Sequence, residues 1–221
     1  MIEYEIKYSR RKTVGIYILR DGIVEIRSPK FVSPREIETF VRAKEQWIQS
    51  KVMDQKNALR AKENFRLGPD SKLQLLGRQC PVVISEKNAF ENGCFYVTED
   101  KMKAGIVNLY KSLAKQFISE RVAYYSDIMN AAPTSVRINS ANTRWGSCSA
   151  DNRLNFTWKL IMAPPEAVDY VVVHELAHTV EHNHSTRFWN IVRRHMPDYQ
   201  RQKKALRELQ SRLRTEEWDT W

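Results

Sequence analysis

The chain has 221 residues, 42% of them hydrophobic and 10% aromatic, enough to bury one sizeable core or two small ones. Its 36 Lys and Arg against 26 Asp and Glu leave a formal net charge of +10, which favours acidic partners. The three cysteines, Cys80, Cys94 and Cys148, lack CxxC spacing and leave an odd thiol in any pairing scheme, which argues against a secreted disulfide framework.

Met1 to Lys7 alternate acids with apolar residues where a signal peptide would place a basic region and an apolar run, and no stretch approaches membrane-spanning length. A soluble, cytoplasmic protein without membrane contact is expected. Residues 1–104 read as a β-rich N-terminal lobe. Ile2, Tyr4, Ile6 and Tyr8 alternate with polar residues, and Val14, Ile16 and Ile18, then Val24 and Ile26, repeat the pattern across an Asp21-Gly22 turn. A small antiparallel sheet is predicted. Ser33-Pro34-Arg35-Glu36 has the form of a capping box with proline at the first helical position, and Ile37, Phe40, Val41, Lys44, Trp47 and Ile48 follow at helical spacing. One long helix with Trp47 in the core is expected. Gly68-Pro69-Asp70, Gly77 and Asn92-Gly93 then punctuate short strands and turns.

Residues 105–221 form the second expected lobe, giving an α+β chain in which helices and a short sheet carry the chemistry. A helix over about 107–129 would turn Leu109, Leu113 and Phe117 to the core. Val136 and Ile138 suggest a strand, and Leu154, Phe156, Trp158 and Leu160, alternating with Asn155, Thr157 and Lys159, suggest a longer one. Pro164-Pro165 can open a helix whose Ala167, Val168, Val171, Val172 and Val173 are suited to burial. That helix leads into His174-Glu175-Leu176-Ala177-His178.

Residues four apart on a helix differ by about 40° in azimuth and about 6 Å in rise, so His174 and His178 face one point, while Glu175 lies about 100° away. Two imidazoles can then hold a zinc ion at about 2.0–2.1 Å, with the carboxylate beside its open position as a general base. His184 is favoured as the third ligand, because Asn183 tolerates the left-handed turn out of the helix and Ser185 can cap the next one. Three ligands and a water make a catalytic type of site. Glu181, seven residues after His174, ranks second, as ligand or as a hydrogen-bond partner of a ligand. His182 would be displaced by about 12 Å along a continuing helix and is discounted.

Together, Thr143-Arg144-Trp145-Gly146-Ser147-Cys148-Ser149, Leu154 to Leu160, Asp169 to Val173 leading into the HExxH motif, and Asn183-His184-Ser185 with Phe188-Trp189 resemble the YgjP-like metallopeptidase-domain family over nearly the whole chain. The chain is similar, more distantly, to WLM and SprT-like proteases. The resemblance implies a zincin-like fold, Zn2+ on His174, His178 and His184, catalytic Glu175, and hydrolysis of protein or peptide substrates. It also implies that an edge strand near the metal receives substrate, here the strand around 154–160 or the segment Arg144 to Ser149. Metzincins have glycine at the position of Glu181, so their turn geometry does not transfer.

Around this core are weaker candidates. Arg144 and Tyr199 could stabilise negative charge on the substrate oxygen, yet a surface arginine and a packing tyrosine are the blander readings. Cys148 reads as a small turn residue rather than a nucleophile, and His195 as a solvated histidine. From Ser185 to Arg214, nine basic residues face only Asp198 and Glu208. That face could hold a nucleic-acid backbone or an acidic protein, and the SprT-like and WLM relatives act on DNA-bound proteins. The rival class is a non-enzymatic, zinc-stapled basic protein that binds nucleic acid, and Glu175 is the residue that discriminates.

Overall fold

A computed structural model describes residues 2–19, 22–64, 66–216 and 218, which form an α+β chain of six helices and three small mixed sheets. Contacts divide the described residues into two units, 2–64 with 214–216 and 218, and 66–213. The division by contacts falls near residue 65, whereas the sequence reading divides the lobes at 104. Residues 66–104 join the second unit because they pack on its long helix: the Phe95 and Tyr110 rings are 5.0 Å apart, and the Tyr110 hydroxyl donates to the Gln74 carbonyl at 2.8 Å. No helix among the described residues is long and apolar enough to cross a membrane.

In the first unit, β1 (Glu5–Ser9), β2 (Gly15–Ile18) and β3 (Val24–Pro29) lie in the order β1-β3-β2. β2 runs antiparallel to β3, but β1 is parallel to it, so the sheet is mixed where an antiparallel one was expected. Alternation marks which side chains share a face and carries no information about strand direction. Of the expected hairpin turn, Asp21 lies outside the described residues, and Gly22 has φ +87°, a conformation that suits glycine.

The expected capping box is present: the Glu36 N–H donates to Ser33 Oγ at 3.4 Å, and the Ser33 N–H donates to Glu36 Oε2 at 2.8 Å. It opens α1 (Pro34–Ala43), which breaks at Lys44 before α2 (Glu45–Asn64), so one expected helix is two. Ile37, Val41 and Ile48 pack with Val24 and Ile26 as this unit's core. Trp47, expected inside, is 48% exposed, because it precedes Ile48 by one position and is turned about 100° off the buried stripe.

In the second unit, β4 (Lys72–Leu75), β5 (Arg78–Ile84), β6 (Ala89–Glu91) and β7 (Cys94–Val97) form a sheet of order β4-β5-β7-β6. The long helix α3 (Met102–Met129) begins earlier than expected and buries Ile106, Tyr110, Ala114, Ile118 and Val122. Leu109, Leu113 and Phe117 are only half-buried, one position away from that stripe. Tyr110, held between Phe95 at 5.0 Å and Trp158 at 5.6 Å, accounts for this rotation of the helix.

The third sheet, β8 (Ser135–Asn139), β9 (Gly146–Cys148) and β10 (Arg153–Thr157), has β10 in the centre, parallel to β8 and antiparallel to β9. The strand expected through Leu160 ends at Thr157 and becomes a buried 3-10 turn, Trp158–Met162, whose Ile161 carbonyl accepts the Leu76 N–H at 2.8 Å. Pro165 then starts α4 (Pro165–Ala177). Arg121 on α3 grips Asp169 on α4 through two hydrogen bonds of 2.6 and 2.9 Å. Helices α5 (Thr186–His195) and α6 (Tyr199–Thr215) complete the unit around the end of α4.

Candidate metal centre and general base

α4 is hydrophobic nearly all round: Ala167, Val168, Val171, Val172, Val173, Leu176 and Ala177 are buried. Full burial stabilises by about 1.5–3 kcal/mol for each Val or Leu side chain, a driving force able to carry polar groups into the interior at the helix's far end. The helix stops at Ala177 with His178 as its cap. The chain then turns, and Ser185 caps α5 by accepting the Phe188 N–H at 3.2 Å, as its position suggested. Asn183 is not among the residues with positive φ, so the exit turn does not use the expected left-handed conformation. Hydrogen bonds from the Glu181 N–H to the Ala177 carbonyl and from the Ser185 N–H to the Asn183 carbonyl, both 2.9 Å, make the turn instead.

This turn brings His184 back to the helix. The ligand atoms of His174, His178 and His184 lie within 4.8 Å of one another, the one such group found among the described residues. His174 Nε2 and His184 Nε2 are 3.1 Å apart. Two imidazole nitrogens on one tetrahedral zinc would be separated by about 3.4 Å, close to the spacing of this pair. Phe188, fully buried, supports all three rings from below, with its centroid 4.8, 4.4 and 4.7 Å from those of His174, His178 and His184.

The second rank given to Glu181 resolves into a main-chain role. His178 Nδ1 lies 3.1 Å from the Glu181 carbonyl oxygen; donating its proton there leaves Nε2 free for a metal. The Glu181 carboxylate instead lies 3.9 Å from Arg187. Neither it nor His182 or His195 joins the histidine group. Burial, with the neighbouring imidazoles and Lys203 adding to it, holds His174 down to about 3, so its ring is neutral and able to ligate at neutral pH.

Glu175 is 5% exposed and packs against β9. A Cβ on Gly146 would lie 2.7 Å from Glu175 Cγ and 2.8 Å from Oε1, so only glycine leaves room for this carboxyl. Burial pushes Glu175 up to about 8, against the pull of the Arg144 charge and a hydrogen bond from the Cys148 main chain. A cation on the histidines would favour the carboxylate form further. The Cys148 thiol is itself pushed up to about 11, first by burial and then by Glu175, so it is no thiolate nucleophile at neutral pH.

Tyr199 stacks between Trp189 at 5.3 Å and Tyr170 at 6.1 Å, and its hydroxyl accepts from Gln200 at 2.8 Å. The roles of Gly146, the Cys148 main chain, the Glu181 carbonyl and Phe188 were not legible in the sequence. Gly146 and Cys148 do lie in the RWGSC segment, which drew notice only through resemblance.

The model of the YgjP-like metallopeptidase domain matches residues 12–209. The chain belongs to this family. As a YgjP-like metallopeptidase-domain protein it is an enzyme that acts on peptides and uses a metal ion, and the histidine cluster could bind that ion. No curated protein matches the chain significantly. One solved structure, the metallopeptidase zymogen abylysin of Pyrococcus abyssi, is similar at 22% identity and a TM-score of 0.38, covering 43% of this chain and 94% of that one.

Proposed function

We propose that this YgjP-like chain is a zinc peptidase in which His174, His178 and His184 hold the ion and Glu175 is the general base. The observation that carries the reading is the buried carboxyl of Glu175 beside three converging imidazoles. A bound zinc would polarise the scissile carbonyl and lower the pKa of a water toward about 7. Glu175 accepts the proton of the attacking water and delivers it to the leaving amine. Gly146 and the Cys148 main chain hold its carboxyl in place. A closed, purely structural zinc site has no use for this carboxylate, which disfavours the non-enzymatic alternative.

β9 is the strand that fits the substrate edge, since β10, the other candidate, is central in its sheet. The Trp145 carbonyl and the Ser149 N–H both pair with β10 at 3.0 Å, so by alternation Gly146 and Cys148 turn their main-chain groups to the open side, toward Glu175. With the Cys148 N–H engaged by Glu175, an extended peptide can pair with the Gly146 main chain and the Cys148 carbonyl.

Metal analysis and peptide cleavage by the wild type and Glu175→Gln test this reading. The variant should keep its zinc and lose about 10²–10⁴-fold in kcat. Cleavage by both at the same rate would overturn the assignment.

A further inference from the structure

Three cations act on the histidine cluster or on residues next to it, Lys203 on His174, Arg144 on Glu175 and Arg207 on Tyr170, and none has an ion-pair partner among the described residues. Two come from α6, where Tyr199, Lys203 and Arg207 follow one another at four-residue intervals and so form one stripe. Lys203 Nζ sits 5.1 Å from the Trp189 ring, and that ring lies 5.8 Å from those of His174 and His184. Arg207 acts on the buried Tyr170 hydroxyl, whose ring is 5.8 Å from His174. Farther along the helix, Gln210 approaches the Asn142 carbonyl at 3.5 Å, two residues before Arg144, whose charge reaches Glu175. The stripe thus runs from the aromatic wall beside the histidines to the loop that carries the third cation.

Nearby acids do not neutralise this set. Glu181 faces Arg187 at 3.9 Å, Asp169 is held by Arg121 at 2.6 Å, and Glu208 lies 4.0 Å from Lys204. Glu175 is reserved for the reaction in the reading above. A peptide reaching the histidines meets positive charge that no nearby acid neutralises.

We propose that the enzyme selects acidic segments, cleaving where Asp or Glu flank the scissile bond, with Lys203, Arg207 and Arg144 reading the acidic side chains. This proposal rests on the peptidase reading. Charge complementarity of this kind is screened by salt when the groups are exposed, so the selectivity should weaken at high ionic strength.

The zinc-loaded full chain is given three fluorogenic peptides with one central sequence and acidic, neutral or basic flanks. The acidic peptide should exceed the basic one by at least about tenfold in kcat/KM, a ratio falling between about 50 and 500 mM salt. In the double variant Lys203→Glu, Arg207→Glu the acidic-to-basic ratio should invert, a comparison that holds even where total activity drops. In parallel, binding of the same peptides to zinc-loaded Glu175→Gln is followed by anisotropy, which needs no turnover; the acidic peptide should bind tightest. Equal cleavage of all three peptides, abolished by Glu175→Gln, would overturn acidic selection and leave the peptidase reading standing. Absence of cleavage would count against the peptidase reading, and the binding order alone would then decide charge selection. A DNA duplex that displaces the acidic peptide and binds more tightly would assign the cations to nucleic acid and overturn the proposal.

Discussion

Gly146 is the residue on which the position of the Glu175 carboxyl turns. Its missing side chain lets the Glu175 carboxyl lie against β9, and an alanine Cβ would stand 2.7 Å from Glu175 Cγ. Gly146→Ala should therefore retain metal while kcat falls by about 10²-fold, because a displacement of about 1 Å at a reacting group has that order of effect. Steady-state kinetics beside metal analysis would check this, and loss of metal would point to a wider collapse. In the first unit, Glu25 is buried on β3 between Lys7 and Arg27, and its hydrogen bonds to these two hold its carboxyl below the usual range. Since the folded pKa lies below the unfolded one, this stabilisation is complete above the unfolded value of about 4.3 and is lost as pH falls through the folded value. Glu25→Gln should remove that acid limb from stability measured against pH, and an unchanged limb would assign it to other carboxylates.

Among the elements, α4 matters most, because it carries two of the three histidines and Glu175 on its last turn. Its orientation against α3 is set by the two hydrogen bonds between Arg121 and Asp169, with the Tyr125 hydroxyl donating to the same carboxylate at 3.3 Å. Both side chains are largely covered, so the pair is worth more than a surface ion pair. Asp169→Ala should cost about 1.5–3 kcal/mol in denaturant unfolding, the range for hydrogen bonds to charged groups. Expected elements are present where a local signal is strong, as at the Ser33 capping box that opens α1 and in the alternation of Val136 and Ile138 in β8. They shifted where several apolar registers compete: α3 offers both the Leu109 and the Tyr110 stripes, and its partners Phe95 and Trp158 select the second. Likewise the alternation from Leu154 to Leu160 fits a strand throughout, but its second half is a 3-10 turn anchored to Leu76 by a hydrogen bond.

At the scale of the whole molecule, the candidate site belongs entirely to the unit of residues 66–213. Metal that binds only the folded state adds about 2.7 kcal/mol of stability when its concentration is 100 times Kd. Chelation should accordingly lower hydrogen-exchange protection in α4, α5 and the turn between them, while α1 and β1–β3, which contribute no ligand, keep theirs. Loss of protection spread evenly over both units would contradict this. The first unit supplies none of the groups assigned to catalysis; the contact division near residue 65 differs from the lobe limit at 104 read from the sequence, because sequence pattern does not reveal that β7 packs on α3.

That His174, His178 and His184 converge could be read directly, since helical spacing is local and a short turn returns the third imidazole. Capping at Ser33 and Ser185 was equally local. Only the tertiary structure decided which main-chain groups hold these side chains: the Glu181 carbonyl under His178, and Gly146 and Cys148 against Glu175. These contacts join residues nearly thirty positions apart or use backbone atoms common to every residue, so no residue type marks them in advance. Burial also decided the protonation of His174 and Glu175, because desolvation depends on what surrounds a group and not on its neighbours in the chain.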